Sequence, residues 1–233
     1  MIKIKTFTDI KLLAEALGNE LAILSHSGES RCIAIPGGET PKGIFKIISN
    51  SGNIDWNNIK IFWSDERCVH PGHTDSNYYL AEQYLFKYIN IPPGNIFRIR
   101  GEENPEEEAK RYSDLVSKQL GDAPVFDMII LGIGSDGHTA SIFSDQMEIL
   151  SSDKIYTVSH HPETHQSRIT MTGKVLKNSK NNYFCVTGES KANIIHKIFD
   201  ENLYCPTSVV GEMNNNSILY IDEKASKLLK NFN

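Results

Sequence analysis

Asp127-Met-Ile-Ile-Leu-Gly-Ile-Gly-Ser-Asp-Gly-His-Thr-Ala-Ser-Ile-Phe-Ser144 is the stretch on which the fold turns. Met128 to Leu131 is a continuous apolar run, the pattern of a strand buried on both faces of a parallel sheet. It breaks into Gly132, Gly134 and Gly137, residues that tolerate a positive φ where a side chain would clash. Between them stand Asp136 and His138, an acid and the one side chain that titrates near neutrality. His138 to Phe143 reads as the opening turn of a helix. Open α/β sheets place their ligands at the carboxyl ends of such strands. Asp136 and His138 are therefore expected in a cleft.

The spacing Gly132-x-Gly134-x-x-Gly137 invites comparison with a dinucleotide site, which also needs an acid about 20 residues on, ending a second strand. Asp153 lies near that distance but precedes the expected strand Ile155 to Val158, so the match is poor. A dinucleotide is not expected.

Working outward, strand and helix patterns alternate almost throughout. Ile2 to Phe7 alternates as a strand, and Ile10, Leu13, Ala14, Leu17, Leu21 and Leu24 then recur at helical spacing, with Thr8 as N-cap. Arg31 to Ile35 is a buried strand that runs into Pro36-Gly-Gly-Glu-Thr-Pro41, and Pro41 suits the first turn of the next helix. Free amide N–H groups at such a helix start bind anions, phosphate especially. Thr40 acting as an ordinary N-cap is the alternative. Ile59 to Trp63 is a strand that meets Ser64-Asp65-Glu66-Arg67, three charges placed as a solvated loop or as a cleft wall. Ile96 to Ile99 reads as a short strand or extended segment. Pro105-Glu-Glu-Glu-Ala109 opens a helix with acids favourable to the dipole, read as a solvated face.

Beyond the central stretch, Lys154 to Ser159 and Ser167 to Thr172 read as strands, the latter placing Arg168 opposite Ile169. Tyr183 to Thr187 is a buried strand ending in Gly188-Glu-Ser-Lys-Ala192. Lys191 falls in a helix's first turn, where a cation opposes the dipole and a bound anion would relieve it. Ile218 to Ile221 and Glu223 to Leu229 are the last strand and helix. The alternation implies an α/β fold, Rossmann-like, with a mainly parallel sheet and helices on both faces. Four strand ends, at Gly38, Asp65, Asp136 and Lys191, carry the unusual residues, consistent with one site in a single domain spanning residues 1–233.

Composition narrows the partners. Lys and Arg number 24 against 29 Asp and Glu in 233 residues, a formal net charge of −5. That argues against nucleic acid, which wants a basic face, but leaves room for a local cationic cleft. No apolar run approaches the ~18 residues of a membrane span, so no membrane partner is expected. Cys32, Cys68, Cys185 and Cys205 form no Cys-x-x-Cys pair, and Cys32 and Cys185 read as buried thiols. With no signal-peptide pattern, the expected location is a reducing cytoplasm. His70 and His73 have a spacing a metal could use but no evident third ligand, and the histidines of His160 to His165 sit in a Pro-bearing surface loop. No metal site is expected.

Taken in order, Pro36-Gly-Gly-Glu-Thr-Pro41, Ser64-Asp-Glu-Arg67 with Asp75-Ser-Asn77, Leu131 to Ser141, Arg168-Ile-Thr170 and Gly188-Glu-Ser-Lys-Ala192 resemble the 6-phosphogluconolactonase family. The resemblance implies hydrolysis of 6-phospho-D-glucono-1,5-lactone on a Rossmann-like fold, without metal or organic cofactor. The related glucosamine-6-phosphate deaminases read Ile-Ala-Phe-Asn-Glu-Pro after Asp-Gly-His; here Phe143 stands where that Glu supports ring opening. Glu39 and Ser144 depart from the lactonase pattern, which frequently has serine and proline there, and Glu39 puts a carboxylate beside the expected phosphate site.

For such a substrate the residues support His138 as general base, Arg67 as a cation for the oxyanion or the substrate, and Asp136 or Asp65 orienting the imidazole. The phosphate is expected on the amides and hydroxyl of Gly37, Gly38 and Thr40, with Arg168 and Lys191 as cationic partners. A sugar-phosphate deaminase or isomerase would share that cradle. A non-catalytic sensor would keep it without needing His138 and Asp136. The chain is expected as a monomer or weak dimer.

Overall fold

Runs that are apolar at every position can be buried only where a sheet is covered on both faces, and such runs form the centre of this molecule. The computed structural model describes residues 2–230. Its elements, in chain order, are β1 (Lys3–Phe7), α1 (Ile10–Ser25), β2 (Arg31–Ile35), α2 (Glu39–Ile48), β3 (Ile59–Trp63), β4 (Asp65–Arg67), α3 (Asn77–Tyr84), α4 (Pro105–Leu120) and β5 (Met128–Leu131). There follow β6 (Tyr156–His160), β7 (Ser167–Met171), α5 (Gly173–Asn178), β8 (Asn182–Val186), α6 (Ala192–Phe199), α7 (Pro206–Met213), β9 (Ser217–Asp222) and α8 (Glu223–Ser226). Six strands form one sheet in the order β1-β9-β8-β5-β2-β3, and each neighbouring pair is parallel. Every residue of β5 and β8 is buried, so helices and loops cover both faces of the sheet's centre.

The alternation of strand and helix gave no sign of a second, three-stranded sheet, β4-β7-β6. Only Ser64 separates β3 from β4, and β4 pairs antiparallel with β7 instead of forming a loop. Tyrosines pin this sheet to the main body. Tyr156 donates its hydroxyl to the Trp63 carbonyl at 2.7 Å. Tyr112 donates to the Phe97 carbonyl at 2.7 Å and accepts the Trp63 N–H at 3.1 Å. The two rings meet edge-on at 4.7 Å. An edge strand offers unpaired backbone to other chains, and β6 is plugged at both ends. Ser113 Oγ accepts the Tyr156 N–H, and the Gln146 amide bonds both the N–H and the C=O of His160.

Several expectations change. Asp9, not Thr8, caps α1, because its extended backbone lets Oδ1 accept the Leu12 N–H at 3.0 Å. The Pro105–Ala109 acids are not all solvated. Glu108 is buried, accepting the Arg100 N–H at 2.7 Å and the Arg111 guanidinium, which supplies the charge partner that burial demands. Ile96 to Ile99 is extended with a single parallel bridge from Ile96 to Ile61. The last helix stops at Ser226, not Leu229. Helices α5 and α7 carry no periodic signature. In α7, Thr207, Val209, Val210 and Gly211 are poor helix formers, and Pro206 at the first helical position compensates. Among the described residues no helix is long and apolar enough to cross a membrane.

Replacing Tyr112 by Phe keeps the packing and removes one hydroxyl, leaving a buried N–H and a buried C=O without that partner. The expected cost is about 2 kcal/mol, read as a lower urea midpoint with unchanged m-value.

Candidate active site

The site begins where the parallel strands end. Turns leaving β2, β5 and β8 converge with β4 and β7 on a cleft of about 450 Å³, within the range of roughly 300–1,000 Å³ usual for small-molecule sites. Gly37, Gly38, Thr40, Asp65, Arg67, His138, Arg168 and Lys191 all line it. Asp136 stands behind His138 instead of in the wall. Ile133, Ser135, Ala140, Val186, Thr187 and Ser190 also line it and are not among the site residues expected from sequence. These residues follow the same strand ends, and adjacency to a called residue was the one available signal.

The turn after β5 is not the helix start expected from His138. Thr139 donates its hydroxyl to the Gly132 carbonyl at 2.9 Å, and Ser141 sends its hydroxyl to Asp65 at 2.6 Å. These side-chain bonds compete with a helical ladder. The chain instead makes a tight turn through Ala140, φ 49°, with Thr139 bridged to Ile142. Of the three glycines, only Gly137 uses a positive φ, at 87°. Gly134 is needed for space. A Cβ there would lie 2.1 Å from His138 Nδ1 and 2.6 Å from Asp136 Oδ1.

That space holds a His–Asp pair. His138 Nδ1 lies 2.6 Å from Asp136 Oδ1, which also accepts the His138 N–H at 3.2 Å. Burial opposes ionisation of Asp136, yet the hydrogen bond and charge of His138, with backbone donors, bring its pKa down to about 2. Asp65, the other candidate orienter, is engaged elsewhere, accepting from Ser64 Oγ and Ser141 Oγ. The His138 ring packs on Phe143 at 4.8 Å between centroids.

Cations face the pair. Arg67 and Arg168 are direct partners across the antiparallel β4–β7 register, an arrangement that costs energy unless an anion intervenes. Arg67 Nη1 donates to the Asp75 carbonyl at 2.6 Å, and Arg168 Nη1 lies 3.4 Å from Ser141 Oγ. Both Nε atoms are buried with no partner among the described residues. Burial lowers the pKa of Arg168, Asp65 opposing and Arg67 adding to the shift. Lys191 belongs to a 3₁₀ turn (Glu189–Lys191) and reaches across to donate to the Ile133 carbonyl at 2.7 Å. Burial lowers its pKa too, with Asp136 opposing.

The N-cap of α2 is Gly38, φ 105°, which has no side chain to cap with, so Thr40 is not the N-cap. Thr40 Oγ1 instead lies 3.1 Å from Thr187 Oγ1. The helix's first N–H groups are left for an anion. Glu39 does not oppose one: its side chain is 87% exposed and bonded to Lys42 at 3.2 Å. Cys185 lines the cleft, but burial pushes its thiol up to about 12, far from a nucleophilic thiolate. His70 and His73 turn Nδ1 to backbone N–H groups of Gly72 and Asp75, and among the described residues no cluster of three metal-ligating side chains forms.

A parallel α/β sheet, an anion cradle at a helix start and a carboxylate-held histidine together define an enzyme of small phosphorylated molecules. The model of the glucosamine-6-phosphate isomerases/6-phosphogluconolactonase family matches residues 10–220, and the chain belongs to that family. It is 38% identical over 230 residues to a 6-phosphogluconolactonase of Aggregatibacter actinomycetemcomitans, covering 96% of this chain and 98% of that one. It is 37% identical, with the same coverage, to the 6-phosphogluconolactonase of Haemophilus influenzae. The crystal structure of a protein designated devB superposes with a TM-score of 0.91 at 34% identity, covering 99% of this chain and all of that one.

Gly134→Ala forces the His–Asp pair off its position without touching the start of α2 or Arg168. We expect kcat to fall by roughly 10²-fold, the scale of a 1 Å misplacement, with KM and melting temperature little changed.

Proposed function

We infer that the chain hydrolyses the ring ester of 6-phospho-D-glucono-1,5-lactone to 6-phospho-D-gluconate. The reading is supported by the activity named for its relatives and rests on one observation: His138 is tied through Nδ1 to Asp136 while facing a cleft walled by cations. Neutral imidazole takes a proton from the water that attacks C1. Nδ1 is committed to the carboxylate, so Nε2 is the accepting nitrogen, and Asp136 favours the imidazolium that results. That imidazolium then protonates the departing ring oxygen. Arg67, a permanent cation, stabilises the oxyanion developing at the carbonyl or holds the substrate beside it.

The phosphate, about −1.5 to −2 in charge near neutrality, is the handle. Gly37, Gly38 and Thr40 offer amides and a hydroxyl at the start of α2, and Arg168 and Lys191 offer charge. Binding at this remote end positions the lactone for attack. No step in this chemistry calls for a metal ion. Phe143 argues against deamination of an amino-sugar phosphate, because its ring fills the space against His138 where a supporting carboxylate would have to stand.

Acid release from freshly generated 6-phosphogluconolactone, followed near neutral pH against spontaneous hydrolysis, tests the reading. Wild type should accelerate it and release no ammonia from glucosamine 6-phosphate. His138→Ala should lose about 10²–10⁴-fold in kcat; wild-type kcat in that variant would remove the base assignment.

Lys191→Met should behave differently. Losing one charge-assisted bond of about 1.5 kcal/mol or more should raise KM roughly tenfold, with kcat within a few-fold of wild type.

A further inference from the structure

Thr207 has no part in the chemistry above, and no residue of α7 lines the cleft. Lys191 holds the turn at Ile133 and Asp65 holds it at Ser141; this wholly buried threonine attaches it in between, at the residue just before His138. Its N–H and its Oγ1 both donate to one acceptor, the Gly137 carbonyl, at 3.1 and 2.8 Å. The same hydroxyl oxygen lies 3.4 Å from the His138 carbonyl oxygen. Within the turn, the Gly134 N–H donates to the His138 carbonyl at 2.8 Å and the Gly137 N–H to the Gly134 carbonyl at 3.1 Å. Those bonds close the Gly134–His138 segment on itself and leave the Gly137 carbonyl to Thr207.

Gly137 is where the turn could swing. Its φ of 87° lies in the region glycine adopts freely, and it leads directly into His138. A Cβ at Gly137 would lie 2.9 Å from both Cβ and Sγ of Cys205, so the residue capping α7 packs flush against it. The start of α7 thus presents two donors to the carbonyl preceding the base and a wall to its α-carbon. Pro206 at the first helical position rigidifies that presentation.

We propose that Thr207 is a positioning residue for the lactonase reaction, setting the direction of His138 by anchoring the Gly137 carbonyl to α7. The proposal rests on His138 acting as the base. Without the hydroxyl, the Gly137–His138 peptide gains freedom to tilt and the ring spends less time in line with water and C1. The phosphate contacts sit on other loops, so the loss falls on kcat and not on KM.

The test compares steady-state lactone hydrolysis by wild type, Thr207→Val, Thr207→Ser, His138→Ala and Thr172→Val. Valine keeps the branched shape and removes the hydroxyl; serine keeps the hydroxyl. Thr172 is an equally buried threonine whose hydroxyl bonds the Lys154 carbonyl, away from the turn. It controls for the general loss of a buried hydroxyl. We expect Thr207→Val to lose about tenfold in kcat, the equivalent of 1.4 kcal/mol, with KM within twofold. Thr207→Ser and Thr172→Val should stay near wild type. Should the valine variant not fold, Thr207→Ala removes the same hydroxyl. Wild-type kcat in the hydroxyl-free variant beside an inactive His138→Ala overturns the proposal and leaves the base assignment standing. So does a KM that rises in step with the fall in kcat, or an equal loss in Thr172→Val. Wild-type kcat in His138→Ala instead overturns the base assignment, and this proposal with it.

Discussion

Two neighbouring carboxylates, Asp65 and Glu66, are buried at 5% and 2% exposure where β3 passes into β4, and much of the site follows from satisfying them. Buried charge is tolerated only with partners. Glu66 accepts the N–H groups of Arg67, Asn77 and Tyr78 and the hydroxyl of Ser76. Burial still pushes its carboxyl up to about 7, against those backbone donors. The cost has a structural return: the segment from Asp75 to Tyr78 is drawn over β4, and the Asp75 carbonyl is set to hold Arg67. Asn77 completes the arrangement by donating to the Asp65 carbonyl at 2.8 Å. Asp65 in turn draws in Ser141, which lies within reach of Arg168. One pair of buried acids therefore sets the positions of both arginines.

The arginines show how an acidic chain can present a cationic cleft. Net charge describes the far field, whereas a cleft focuses the charges that line it. Arg67 and Arg168 face each other in register, and Lys191 approaches from the β8 side. Among nearby acids, Glu39 turns to solvent and Lys42, while Asp65 is occupied by hydroxyls. The unpartnered Nε donors and the uncapped start of α2 are unsatisfied in the same direction. Such donors are arranged in advance for a ligand's oxygens, so little reorganisation opposes binding.

Strand ends were legible because two rules act locally: apolar runs are buried, and glycines and charges that interrupt them need a reason. Met128 to Leu131 and Tyr183 to Val186 show this, since both lie within central strands. What stayed hidden depends on distant partners. Ser64 to Arg67 looks like a loop until β7, a hundred residues later, pairs with it. Glu108 looks solvated until Arg100 donates to it. The choice between Asp136 and Asp65 could not be read from spacing, because it depends on Ser141 engaging Asp65 across 76 residues. Helix α7 escaped notice because tertiary packing, not propensity, maintains it.

The turn after β5 carries this lesson into function. A helix beginning at His138 would have spent the hydroxyls of Thr139 and Ser141 on capping or solvent. The tight turn directs Thr139 back to Gly132 and Ser141 down to Asp65, and it buries Phe143. The Phe143 ring then packs against three residues at once: His138 at 4.8 Å, His161 at 5.3 Å and the Arg168 guanidinium at 5.6 Å. A carboxylate at 143 would meet the cationic Arg168 and the His138 ring from the same place, pulling on both. An aromatic ring supports both without neutralising either, through its face and its bulk. The His138 ring stays paired with Asp136 alone, and the Arg168 charge is left facing the cleft. Position 143 thus decides what packs against the histidine, while the strands, the start of α2 and the arginine pair are built by other residues.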